Sequence, residues 1–262
     1  MNFSPLKIAA SLAIVATSAS FAQTKAPEPD YTLAYNVGVV TDYRFRGISQ
    51  TGFKPALQLG ADFVHKNGFY AGAFGSNVSW VKDLNGATKG NYEIDLYGGF
   101  KGSIASDVGF DVGLITYQYP GNNSGVGGRL PAGTFSNANT TEAYLGLSYS
   151  VASIKYSRSL GNLLGNNNSS GSQYFDLSAN FDVGNGFTIT PHIGRQIVRG
   201  TSGLGNYTDY SLTAAKDFGG GISGTAALLG TNAKRGPGTF YRDLNDKDLG
   251  KSTLVVGVKY SF

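Results

Sequence analysis

Two carboxylates at Glu93 and Asp95, two histidines at His65 and His192, and the run holding Asp42, Arg44 and Arg46 are the groups of this 262-residue chain that could do chemistry. The chain has no cysteine, which excludes a thiol nucleophile, a disulfide framework and a Cys-ligated metal. Glu93 and Asp95 could be read as an acid–base pair or a calcium site, but two residues along a strand separate them by roughly 7 Å, too far to share a proton. His192, two residues from Thr190 and from Gly194, could serve a serine hydroxyl as base; serines are so plentiful that their presence decides nothing, and a neutral wall histidine is the simpler reading. Asp42, Arg44 and Arg46 share one face. The two guanidiniums would either form a basic constriction beside an acid or pair with acids on neighbouring strands, and both can hold at once.

The elements that must position these groups are strands. From Tyr31 the period is two: Tyr31, Leu33, Tyr35, Val37, Val39, Tyr43 and Phe45 fall on one face, and Thr32, Asn36, Gly38, Asp42, Arg44 and Arg46 on the other. From Tyr35 to Tyr43 a strand tilted near 40° climbs about 21 Å, close to the ~25 Å apolar band of a membrane barrel with its aromatic girdles. The alternation returns at 55–65, 69–80, 91–101, 108–119, 140–149, 153–159, 173–183, 187–196, 206–218, 221–230 and 252–262, which makes twelve strands with the first. Thirty-eight glycines, 13% aromatic residues and only 15% charged residues suit an all-β chain and neither a disordered one nor a helix bundle.

Connections alternate without exception between short links (66–68, 102–107, 150–152, 184–186, 219–220) and long ones (47–54, 81–90, 120–139, 160–172, 197–205, 231–251). Asn67-Gly68 and Asn185-Gly186 are favoured in type I′ hairpins. A single closed antiparallel transmembrane β-barrel over residues 31–262 follows, with both termini at the short-turn end. Before it, Lys7, the apolar run 8–16 and Ser20-Phe21-Ala22 read as a signal peptide over residues 1–22, cleaved before Gln23. Its loss lowers the formal charge of +4 by one. Residues 23–30, with two prolines, read as a disordered lead-in. The last strand ends on Tyr260 and Phe262, like the C-terminal signal by which bacterial outer-membrane proteins reach their assembly machinery.

The run from Val37 to Thr51, VGVVTDYRFRGISQT, followed by Pro55-Ala56-Leu57-Gln58, resembles the opening of the TorF family of porins. Similar features continue in Gly68-Phe69-Tyr70-Ala71-Gly72, in 93–99 (EIDLYGG) and in Tyr117-Gln118-Tyr119-Pro120-Gly121, while the Asn- and Ser-rich loop 161–171 departs from the pattern. The resemblance implies a Gram-negative outer-membrane barrel that conducts solutes.

A twelve-strand barrel has a backbone diameter of roughly 24 Å, of which side chains leave about half open, enough for ions and small hydrophilic solutes. Alternation puts Asp42, Asp62, Glu93, Asp95, Asp111, Glu142, Asp176 and Asp209 on the pore wall with Arg44, Arg46, Lys101, Lys155 and Lys259, a mild bias toward cations. Tyr35, Tyr43, Phe45, Trp80, Tyr260 and Phe262 read as girdle residues in contact with outer-membrane lipid, and His65 as interfacial. The pattern calls for no cofactor and no metal. Basic residues are scattered and form no stripe for nucleic acid. A surface receptor or adhesin, and a barrel-borne lipid hydrolase, are the alternatives to a diffusion pore. Pro191 inside a strand predicts a bulge or register break, and 153–159 is short for a spanning strand.

Overall fold

The computed structural model describes residues 29–126 and 128–262. The expected signal peptide and residues 23–28 of the lead-in lie outside the described residues.

Twelve antiparallel strands form the wall: β1 Tyr31–Val40, β2 Ala56–His65, β3 Phe69–Asn77, β4 Tyr92–Ala105, β5 Val108–Gln118 and β6 Thr140–Tyr149 in the first half. The second half holds β7 Ala152–Ser159, β8 in two segments Gln173–Ala179 and Phe181–Gly184, β9 Phe187–Ile197, β10 Tyr207–Gly219, β11 Ile222–Thr231 and β12 Thr253–Ser261. Each strand pairs with its chain neighbours, and β1 closes the cylinder on β12 with Val37 opposite Tyr260. Closure leaves no edge whose backbone groups would lack partners in lipid.

Alternation decides which side chains face out. Leu57, Leu96 and Leu177 are half exposed, at 52%, 52% and 50%, and Phe175 points the same way, although all are apolar. Their alternate neighbours Asp95 and Tyr174 are nearly inaccessible inside. An apolar exterior around a polar interior is the inverse of a soluble barrel and fits a lipid solvent. Tyr35, Tyr260 and Phe262 stack against one another outside the β1–β12 seam at the turn end.

Two expected strands are shorter than the alternation suggested. β1 stops at Val40, and the chain turns into a small hairpin, Arg44–Phe45 against Ile48–Ser49, inside the barrel. Arg46 and Gly47 at its tip both have positive φ, 47° and 77°, the backbone of a two-residue type I′ turn. β3 likewise stops at Asn77, and Trp80–Asp83 forms a single helical turn. β7 spans eight residues and pairs along its whole length with β6. Pro191 produces no register shift: Ser178 faces His192 before it and Phe181 faces Ile189 after it, in the same frame. The ladder simply lapses at Asn180. The bulge lies further on, between Asp182 and Gly184.

Candidate functional site

Six long loops gather at one end: L1 41–55, L2 78–91, L3 119–139, L4 160–172, L5 198–206 and L6 232–252. L1 reaches deepest. Asp42 anchors it by accepting hydrogen bonds from Ser49 Oγ (2.6 Å) and Thr51 Oγ1 (3.0 Å) and pairing with Arg44. Arg44 Nη1 also donates to the backbone oxygens of Gly47, Leu249 and Lys251, joining L1 to L6.

The hairpin tip crosses the lumen. Arg46 Nη2 donates to Glu142 Oε2 of β6 at 2.6 Å and Nη1 to Gln196 Oε1 of β9 at 2.8 Å. Its guanidinium lies 4.2 Å from the centre of the Tyr174 ring on β8. Glu142 is 1% exposed. Burial opposes the charge on Arg46, but Glu142 more than offsets it and raises its pKa, so the guanidinium stays ionised. On the far side, a Cβ added at Gly47 would fall 2.6 Å from Thr231 Cγ2 and 2.8 Å from Asp209 Cβ. Only glycine lets the tip press so closely against β10 and β11.

Tyr43, Phe45 and Trp80, expected in the outer girdle, point inward. Phe45 packs edge-on against Tyr117 and Trp80 against Tyr119, in one apolar cluster with Val78, Val81 and Ala138. Tyr43 donates to Glu93 Oε1 at 2.5 Å. Burial, then the Glu93 carboxylate, push the Tyr43 and Tyr119 hydroxyls up, so both remain donors. Alternation predicted these faces correctly only while the strand lasted; once the chain turns in, the same apolar residues cover the plug.

Below the plug the lumen carries a belt of tyrosines and acids. Tyr97 donates to Asp62 and Tyr70 to Asp111, each at 2.5 Å; the Tyr70 and Tyr144 hydroxyls are themselves bonded, and Lys155 Nζ sits 4.1 Å above the Tyr144 ring. Tyr174 donates to both oxygens of Asp209. Each of these four belt tyrosines lies over a glycine of the adjacent strand: Tyr97 over Gly72, Tyr70 over Gly99, Tyr144 over Gly113, Tyr174 over Gly194. Part of the high glycine content thus supplies flat seats for rings. Reading charges alone missed this belt; the signal was available as inward tyrosines facing inward glycines across the ladder.

Of the thirteen charged residues expected on the wall, Asp42, Arg44 and Arg46 belong to L1. Asp62, Glu93, Asp95, Asp111, Glu142, Lys155, Asp176 and Asp209 face inward from strands. Lys101 Nζ lies over the Tyr70 ring at 5.4 Å, and Lys259 stands on the inward parity of β12 at the turn end. His192 Nε2 contacts Asp176 at 2.9 Å and Nδ1 faces Asp209 at 3.7 Å. Both ring nitrogens therefore address carboxylates, and no serine hydroxyl bonds to this histidine among the described residues, so a serine-based hydrolytic set is not assembled. Glu93 is bonded to Tyr43 while Asp95 Oδ1 has no partner, and no group of three His, Asp or Glu among the described residues could hold a metal.

A closed twelve-strand wall, an apolar exterior and a charged lumen narrowed by an inturned loop define a porin-type barrel. Solved structures share it: the KdgM porin in complex with disordered oligogalacturonate superposes with a TM-score of 0.53 at 9% identity, covering 88% of this chain and 98% of that one. The NanC porin gives 0.52 at 10% identity, covering 87% and 99%. These likenesses concern the fold. The chain belongs to the family described as "Bacterial protein of unknown function (Gcw_chp)", whose profile matches residues 24–262. No curated protein matches the chain.

Proposed function

We propose that the protein is an outer-membrane channel for ions and small hydrophilic solutes, with L1 as its constriction. The observation that carries this is the Arg46–Glu142 contact, a charged hairpin tip held across a lumen whose outer wall suits lipid. In this reading residues 1–22 are the export signal, 31–262 the barrel, and Phe262 the mark read by the assembly machinery. The motifs quoted above favour a TorF-type porin.

Two of the inward acids, Asp42 and Glu142, are neutralised by arginines. The remaining acids, Asp62, Glu93, Asp95, Asp111, Asp176 and Asp209, outnumber Lys101, Lys155 and Lys259. The lumen therefore favours cations and neutral solutes over polyanions such as the oligogalacturonate bound to KdgM. Planar-bilayer recording on the refolded mature chain tests this. Discrete conductance steps with a reversal potential shifted toward cations in a salt gradient are expected. Absence of steps from barrels that fold and insert would overturn the channel, and an anion-directed shift would overturn the selectivity.

A further inference from the structure

Above the plug, all six loops converge on a cavity of about 270 Å³. Each contributes apolar wall: Phe45 from L1, Trp80 from L2, Phe135 from L3, Leu164 from L4, Val198 from L5 and Tyr241 from L6. Such a lining is costly at the water-facing end of a barrel, because loops there need no apolar surface to satisfy lipid. The cavity also exceeds the ~150 Å³ hole that accommodates benzene and falls just under the common range of ligand pockets, ~300–1,000 Å³.

The amide and guanidinium side chains in the wall are already engaged, and Trp80 Nε1 is the buried donor left without a partner. Asn85 Nδ2 donates to Leu164 O at 3.0 Å, Asn166 Nδ2 to Leu163 O at 2.9 Å, and Gln196 Nε2 to Gln173 O at 3.0 Å. Arg242 is paired with Asp246. A sugar entering here would lose hydrogen bonds to water and find few replacements, whereas an apolar ring would lose none. One wall residue is strained. Leu164 adopts φ 50° and ψ 39°, a left-handed conformation rare for leucine, and is clamped there by Thr140 Oγ1 on its N–H and by Asn85 on its carbonyl.

We propose that this cavity is a binding site for a small molecule with a single aromatic or branched aliphatic body, of about eight to fourteen heavy atoms by comparison with the benzene-sized cavity. The site is distinct from the charged lumen, and it shares Phe45 with the hairpin whose tip holds Glu142. An occupant therefore packs against the back of the plug.

The chain has one tryptophan, and it lines this cavity, so intrinsic indole fluorescence reports on the site. The full mature protein is refolded into phosphatidylcholine vesicles and titrated with 4-bromophenol, whose bromine quenches indole on contact. Saturable quenching is expected, relieved by p-cresol and untouched by glucose. Phe135→Asp, on a loop away from the wall strands, is expected to raise the half-saturation concentration at least tenfold, while Phe135→Leu keeps it within about threefold. Quenching that rises linearly without saturation, or relief by glucose equal to that by p-cresol, overturns the site. Saturation with equal strength in a folded Phe135→Asp barrel does so too. None of these arms measures current, so a barrel that binds without conducting, or conducts without binding, separates this inference from the channel.

Discussion

The two halves of the lumen are built from the same strands and the same alternation, yet their charges do different work. At the loop end Arg46, at the tip of L1, and Glu142 are buried together, with side chains 7% and 2% exposed. At the turn end Lys259 is exposed, and Lys101 and Lys155 rest over rings beside a wet lumen. Burial decides the difference. Removing one partner from a buried pair typically costs ~3–5 kcal/mol, while a solvated pair is worth about 0–1 kcal/mol. The outer charges hold a position, and the inner ones stand on the accessible side of the wall.

The strongest way to break that contrast is Arg46→Glu. It sets a carboxylate against Glu142 and removes the donor to Gln196, so the hairpin loses its hold on β6 and β9 together. A loss of ~3–5 kcal/mol shifts the balance between seated and released hairpin by about 10²–10⁴-fold. Conductance is expected to rise several-fold. The wall itself should survive, read as unchanged heat-modifiable mobility on gels, because no strand hydrogen bond passes through Arg46. Unaltered conductance from the folded variant would show that L1 does not constrict.

The tyrosine belt offers a smaller test in the inner half. A Cβ at Gly113 would stand 2.4 Å from the Tyr144 hydroxyl and 2.5 Å from the backbone oxygen of Gly98. The ring can swing away, but the carbonyl belongs to the β4–β5 ladder and cannot. Gly113→Ala should therefore destabilise the barrel by ~1–3 kcal/mol, read as a lower urea midpoint, and removing the Tyr144 hydroxyl as well should restore only part of it. Full restoration would mean that the ring alone fixes the glycine.

Most of the wall was legible in the sequence, because period two is a local property: Leu96 against Asp95, Leu177 against Asp176. The strand number and the alternation of short and long links followed from it. What the pattern hid was where a strand stops being wall. Tyr43 and Phe45 keep the alternation beyond Val40, and only the Arg46-Gly47 turn, stabilised by contacts with residues 96 or more positions away, takes them into the lumen. Trp80 misled for a related reason: an aromatic residue after a strand suits a girdle as well as a plug, and long-range packing on Tyr119 decides between them. The charged wall positions were legible by parity, whereas the tyrosine seats needed register between strands, which parity alone does not supply.

Pro191 gives the finest test of how a closed wall tolerates a local defect. Proline has no N–H, and its pairing with Leu212 on β10 is intact while the β8 side lapses at Asn180, so the missing donor faces β8. The gap is bridged by side chains, Thr190 Oγ1 donating to Asn180 Oδ1 at 2.7 Å, while Asn180 N donates away from it to Val151 O at 2.8 Å. Pro191→Val restores a backbone donor worth about 0.5–1.5 kcal/mol, against the ~0.4–1 kcal/mol by which proline restrains the unfolded chain. The net gain should be under about 1 kcal/mol, seen as a small rise in urea midpoint with a new slowly exchanging amide at position 191. A fall in midpoint worth more than about 0.5 kcal/mol, the most that the lost proline restraint could outweigh the new donor, would mean that the bridge through Asn180 is incompatible with a continuous ladder, so that the interruption is itself part of how β8 bends around the lumen.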